Sequence, residues 1–327
     1  MRDNWDQIFS IIHYVEGAVG ISLNVLLIYL TIFVHTPAIR EYRVLLGNAA
    51  VTDLITTIAI LLVQPRMICI GMTYAYIALG PSKNFGAKVS YIILGLNYNM
   101  LFYLFLLFPI AFGFRYYILV RPIPTIRTLI LLCCGLYLIS LGQFVKTPSA
   151  IVQNDLQQRI PVYNLSGEVV FGSILPRNPL GIISSVIIFL PMFPIYGLVF
   201  YVRHKVHEFI DDDTRHNFSE VVKKGHKKLM LALTVHAALP AIFVFVPFGL
   251  MLCYHIGIMR FILFEYLVFT MFALLPIARP IVNLTFVRPY NKALRHMITG
   301  NLCVHKMQIQ DVSHYTNING KRVSIKR

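Results

Sequence analysis

Seven stretches of this 327-residue chain are each long and apolar enough to cross a bilayer, and no other feature restricts its fold as strongly. They run 8–34, 44–71, 86–119, 125–146, 180–203, 227–254 and 261–286. A hydrocarbon core of about 30 Å takes roughly 20 residues of helix. No water reaches an unpaired amide there, so open strands are excluded and the stretches are expected to be helical. The chain is 57% hydrophobic and 13% charged, with a mean hydropathy of +0.68. That leaves too little polar surface for a soluble protein of this size. The expected fold is an all-α membrane protein, a seven-transmembrane helix bundle forming one domain over 1–303. Residues 304–327 are polar, lack periodicity and read as a disordered cytoplasmic tail.

Charge placement orients the bundle. With the N-terminus outside, the inner segments 35–43, 115–127, 203–228 and 288–327 hold twenty Lys and Arg against seven in the outer segments. Arg66 and Arg279 are left within the apolar stretches. This split obeys the positive-inside rule, and the opposite orientation violates it. The triplet Asn164-Leu165-Ser166 lies in the longest outer loop, 147–179, and Asn164 is the expected glycosylation site. The first stretch follows no basic n-region or cleavage site and is read as a retained signal anchor. After the seventh stretch, Pro289 suits a first helical turn. Leu294, Met297 and Ile298 fall on one side of the helix that follows, and Lys292 and Arg295 on another. Cys303, just beyond it, is a candidate for palmitoylation.

Several function classes fall away. The net charge of +15 is spread over short loops and makes no continuous basic face for nucleic acid. The five cysteines show neither a disulfide framework nor zinc-ligand spacing, so no metal site is read. There is no HExxH, GxSxG or glycine-rich phosphate loop, and no enzyme or cofactor is indicated. The seventh stretch contains no Lys, so a retinal Schiff base has no site.

Intramembrane charges are costly and need a partner or a purpose. Asp53 lies near mid-membrane on the second helix, Arg279 beside Pro280 on the seventh, and Asn24 on the first. Neighbouring helices suggest an Asp53–Asn24–Arg279/Asn283 polar cluster, either biasing between two packings of the seventh helix or fixing a single one. Arg115 and Tyr116 end the third helix at the inner face. There Arg115 either contacts a partner or marks the membrane boundary by snorkelling. The third inner loop carries Lys223 and Lys224 near the base of the sixth helix, a surface for a signalling protein or anionic lipid, or a solvated boundary. Pro191, Pro194, Pro240, Pro247, Pro276 and Pro280 permit kinks in the later helices. A cavity opening outward would draw on Gln64, Arg66, Asn97, Tyr98, Asn99, Tyr103, His255, Glu265 and Tyr266, each of which could equally be a packing residue.

A set of tracts through most of the chain then carries a resemblance. They include Leu23-Asn24, Asn48 through Asp53-Leu54, Gln64 with Arg66, and Gly80-Pro81 before Phe85-Gly86. Phe114-Arg115-Tyr116-Tyr117 with Pro122 and Pro124 follows, then Leu239-Pro240 and Pro280 with Phe286-Val287-Arg288-Pro289-Tyr290. In these the chain resembles nematode chemosensory seven-helix receptors of the serpentine receptor class delta. The resemblance implies a G-protein-coupled receptor in the plasma membrane of sensory-neuron cilia, with an environmental small molecule and a heterotrimeric G protein as partners. It also implies that Arg115 and the stretch Arg288-Pro289-Tyr290 lie on the G-protein side. A small-solute transporter or channel is the alternative, but Asp53, Arg66 and Arg279 are too few and scattered for an ionisable track.

Two departures stand out. Receptors of this architecture commonly staple the third helix to the second outer loop by a disulfide. Here 72–100 has Ser82 and Ser90 but no Cys, and 147–179 has none. Cys69 and Cys253 lie on helices that are not neighbours, so no bridge is expected, and the outer lid should be looser and held by packing. Arg279 beside the seventh-helix proline is the second departure.

Overall fold

The computed structural model describes residues 2–34, 42–70, 73–120, 125–140, 168–174, 190, 192–211, 220–256 and 261–299. The helices are α1 (Arg2–Phe33), α2 (Tyr42–Val63), α3 (Ala87–Val120), α4 (Ile126–Ser140), α5 (Met192–Asp211), α6 (Glu220–Pro240), α7 (Val246–Ile256), α8 (Leu263–Phe286) and α9 (Arg288–Ile298). A π-helical segment, Ala241–Phe245, joins α6 to α7 as one continuous sixth span. Five of the described spans exceed the length and apolarity needed to cross a bilayer, and α4 is a shorter apolar helix. Asn164, Cys303 and the tail 304–327 lie outside the described residues.

Prolines set several boundaries and bends. Pro240 has no N–H for the His236 carbonyl, and the helix widens into the π turn directly after it. There Tyr196 of α5 donates its hydroxyl to the Ala237 carbonyl at 2.7 Å. Pro280 likewise has no N–H for the Pro276 carbonyl, which instead accepts from Asn24 Nδ2 at 2.9 Å. A side chain on α1 thus satisfies a backbone group that a proline on α8 released.

The second apolar stretch departs from its expected course. It is helical only to Val63, not to 71, because Pro65 disfavours the α conformation of the residue before it. Gln64 takes φ +45°, an uncommon value for a residue with a side chain, and the chain leaves as a strand. Strands β1 (Pro65–Ile70), β2 (Thr73–Ala78) and β3 (Val170–Ile174) form an antiparallel sheet in that order. Arg66, expected within a helix, is therefore on an outer strand.

The sheet has two distinct faces. Arg66 pairs with Ile77 and Ile68 with Ala75 on one, while Met67 pairs with Tyr76 and Tyr76 with Phe171 on the other. This lid joins the first outer loop to the second by a backbone ladder, so it is held by hydrogen bonds and not by packing alone. The Ser82 and Ser90 hydroxyls bond at 2.8 Å and tie the 3₁₀ turn Pro81–Phe85 to α3. Cys69 and Cys253 are free thiols. Burial, aided by the Glu265 carboxylate, pushes the Cys69 thiol up to about 12, which keeps it an inert neutral group.

Helix α9 buries Tyr290 and Ala293 and turns Lys292 and Arg295 outward. Ile298, expected on its apolar side, is 76% exposed, because the helix ends there and the last turn has left the bundle.

Gly172 is needed where β3 meets β2, since an added Cβ would sit 2.0 Å from the Tyr74 carbonyl oxygen. Gly172→Ala is expected to separate the two strands and lower the melting temperature of the purified protein by several degrees. Gly113→Ala, where nothing lies within 4 Å, serves as the neutral control. Equal melting of the two variants counts against a sheet-held lid.

Candidate functional site

Arg66 on β1 is fully buried and centres the outer cluster. Its Nε and Nη2 donate to one oxygen of Glu265, at 2.8 and 2.6 Å, and its Nη1 donates to Asp6 at 3.2 Å. The guanidinium stacks 4.7 Å from the centre of the Tyr266 ring, and the Tyr266 hydroxyl donates to the same Asp6 oxygen at 2.5 Å. Phe9 stacks on the Tyr266 ring, with the ring centres 4.6 Å apart. Burial works against the Arg66 charge, but Glu265, Tyr266 and Asp6 outweigh it and hold the pKa above the usual guanidinium value. Deeper on α1, Ser10 donates to Gln64 Oε1 at 2.7 Å. The outer turns of α1, strand β1 and the start of α8 are therefore clamped together.

Arg66, Glu265 and Tyr266 thus converge as a group, but on one another and on Asp6. The sequence reading missed Asp6 because it precedes the first apolar stretch and looked like ordinary outer polarity. Beside this clamp, the Tyr76 and Tyr98 hydroxyls bond at 3.1 Å. Their rings meet Phe269 edge-on at 6.0 and 6.4 Å, and Tyr76 stacks on Phe171 at 5.7 Å. Strands β2 and β3 therefore contact α3 and α8 through aromatic rings. Tyr76 and Phe171 had no intramembrane signal to reveal them, since the lid itself was unforeseen.

The other candidates scatter. Asn99 accepts from Ser140 of α4 at 3.2 Å, and Tyr103 bonds Asn48 of α2 while its ring packs edge-on against Tyr137. These two belong to the α2–α3–α4 seam. Asn97 is buried on α3. His255 falls in α7, its side chain outside the described residues, as are those of Arg115, Lys223, Lys224 and Arg288. Tyr116 is 38% exposed at the inner end of α3, whereas Tyr290 is fully buried and turned into the bundle.

At mid-membrane, Arg279 Nη1 donates to Asp53 Oδ1 at 2.9 Å, with both side chains at most 4% exposed. The guanidinium lies 5.1 Å from the Phe108 ring centre on α3. His236 of α6, missed because a lone His in an apolar run gives no distinctive signal, places Nε2 3.3 Å from the Arg279 carbonyl. Asn24 bonds α8 through its backbone and not through Asp53, and its Oδ1 has no partner among the described residues. Asn283 is buried one turn below Arg279. A second buried pair, His13 and Glu16 at 3.0 Å on α1, also went unread because it lies within one apolar stretch.

With this geometry in place, the bundle has the seven-helix rhodopsin fold. Squid rhodopsin superposes with a TM-score of 0.66 at 12% identity, covering 94% of this chain and 89% of its own. The family model for the serpentine type 7TM GPCR chemoreceptor Srd matches residues 9–296, and the chain belongs to that family. Serpentine receptor class delta-19 of Caenorhabditis elegans is 30% identical over 299 residues, covering 89% of this chain and 88% of the relative. Serpentine receptor class delta-1 of the same organism is 31% identical over 292 residues, covering 86% and 78%. The protein is thus a multi-pass membrane receptor of a chemosensory family, and not an enzyme.

Removing Arg66 alone takes two charge-assisted hydrogen bonds from the buried Glu265 carboxylate, and breaking a buried ion pair from one side typically costs about 3–5 kcal/mol. Arg66→Met is therefore expected to lower thermal stability and surface expression strongly. The double variant Arg66→Met/Glu265→Met is expected to recover much of the loss in a double-mutant cycle. Additive losses would show that the two side chains act independently.

Proposed function

We propose that this protein detects a small molecule of largely apolar body beneath the outer sheet and signals to a heterotrimeric G protein inside, in the plasma membrane of sensory cilia. Family membership supports the chemosensory role and the partner classes. One observation carries the receptor reading: a single stripe of α8 spans both clusters. Tyr266, Phe269, Phe272, Pro276, Arg279 and Asn283 are all buried and spaced three or four residues apart. Tyr266 to Arg279 is 13 residues, or roughly 20 Å at the rise of an α-helix. A molecule displacing the rings around Phe269 therefore bears on the same helix that holds the mid-membrane ion pair.

The Tyr76–Tyr98 hydroxyl pair uses one of its two protons, so the other is free to donate to a carbonyl, hydroxyl or ether of the ligand. The Phe171 and Phe269 rings suit an apolar body. On the inner side, Arg115, Tyr116, Lys223, Lys224 and Arg288 form the surface proposed for the G protein. Tyr290, being buried, anchors α9 beneath that surface and does not itself touch the partner.

The test is a screen of volatile and water-soluble odorants on cells expressing the full chain, with cAMP and calcium read together with membrane current. Ligand-dependent second messenger without ligand current supports the receptor, and a ligand-gated current or uptake instead supports the transporter or channel. For a hit, Tyr98→Phe is expected to weaken potency about three- to tenfold, the worth of one ordinary hydrogen bond. Asp53→Asn is expected to change basal signalling or potency at equal surface expression. Unchanged signalling in Asp53→Asn would reduce the ion pair to a static packing element.

A further inference from the structure

A recess at the inner ends of α1 and α2 plays no part in the proposed signalling path. It is a shallow, open recess of about 550 Å³, lined by Thr31, Ile32, Phe33, Arg43, Val44 and Gly47. Its origin is local. Gly47 has no side chain, which lets α2 come so close to α1 that an added Cβ would lie 3.0 Å from the Thr31 methyl. Beside this close contact the recess is walled by Ile32 and Phe33, which are 55% and 54% exposed on the outside of the bundle. Thr31 spends its hydroxyl on the Leu27 carbonyl at 2.7 Å and so offers the hollow mainly its methyl group. The wall is therefore apolar, with one cation at the rim.

Two facts select the occupant. Phe33 ends α1 and Arg43 begins α2 on the side that the positive-inside asymmetry places in the cytoplasm, so the recess opens sideways at the inner boundary of the bilayer. The medium bathing an outward-facing apolar hollow at that depth is phospholipid. In addition, Arg43 makes no ion pair among the described residues, and the first turn of α2 carries no acidic side chain. The site thus joins an acyl-sized apolar hollow to a guanidinium that has no ion-pair partner among the described residues, and a guanidinium matches a phosphate bidentately.

We propose that the α1–α2 seam binds an anionic phospholipid of the cytoplasmic leaflet, one acyl chain against Ile32, Phe33 and Val44 and the phosphate on Arg43. A zwitterionic lipid brings its own ammonium to the rim and so complements the Arg43 charge less well.

The experiment uses the full-length receptor in nanodiscs of phosphatidylcholine doped with either phosphatidylserine or phosphatidylcholine carrying a photoactivatable group in the acyl chain. Crosslinks are mapped by peptide mass spectrometry. Labelling of the segments holding Ile32, Phe33 and Val44 by the phosphatidylserine probe is expected to exceed that by the phosphatidylcholine probe about fivefold. This corresponds to about 1 kcal/mol for one basic side chain near an anionic membrane surface. Arg43→Gln is expected to abolish the preference and Arg43→Lys to keep most of it. Ile32→Trp, a change at an exposed residue, is expected to fill the hollow and block labelling without disturbing the fold. Equal labelling by both probes, labelling spread evenly round the bundle, or an unchanged pattern in Arg43→Gln overturns the proposal. Competition by millimolar inorganic phosphate also overturns it, because that outcome marks a soluble-anion site.

Discussion

The ion pair between Arg279 and Asp53 governs how the helices of this receptor can pack. A guanidinium at mid-membrane cannot be solvated by lipid, so α8 is held wherever a carboxylate can reach it. Asp53 supplies that carboxylate from α2 at 2.9 Å, and Phe108 of α3 covers the charge with its ring. The Arg279 carbonyl lies within reach of His236 of α6, and one turn earlier the Pro276 carbonyl accepts from Asn24 of α1. Five helices therefore meet around four residues of α8. Substituting any one element leaves a polar group in an environment with no alternative partner, which makes the arrangement cooperative.

Much of this core was legible because membrane chemistry leaves few choices. A lone Asp and a lone Arg in separate apolar stretches have to be reconciled, and their pairing follows from helix adjacency. The role of Asn24 was legible only as proximity. That it bonds a carbonyl released by Pro280 depends on the rotation of α1, which no periodicity in so uniformly apolar a stretch reveals. Tyr103 and Asn99 show the same limit. Both are polar residues on a long apolar helix, and only the packing of α4 decides that they face the α2–α4 side.

The outer sheet was illegible for a different reason. Met67 to Ile70 resumes the apolar character of α2 after only Gln64-Pro65-Arg66, and hydropathy cannot tell a buried strand from the last turns of a helix. The signal that counted was Pro65, which ends the helix at Val63 and sends Gln64 into a positive φ. The sheet then does what a disulfide does elsewhere in such bundles. The β2–β3 ladder ties the second outer loop to the first, and the Ser82–Ser90 bond ties the first to α3, in place of a covalent bridge. Such a lid can be opened and reformed by exchanging hydrogen bonds, which a covalent staple does not permit.

That difference bears on how a signal could pass through α8. Its outer end is held by Arg66 through Glu265 and Tyr266, and its middle by Asp53 through Arg279. Pro276 lies between the two anchors and has no N–H for the Phe272 carbonyl, so the helix is weakest where a bend would decouple them. The Asn24 bond to Pro276 braces this point from α1, the same helix whose first turns carry Asp6 into the outer clamp. Helices α1 and α8 are thus joined above this weak point and at it. A change in the outer clamp that shifts α1 relative to α8 loads the Asn24 brace directly. In the proposed signalling path, a bend of α8 at Pro276 would move Arg279 against Asp53 without any need for the whole helix to move as a rod.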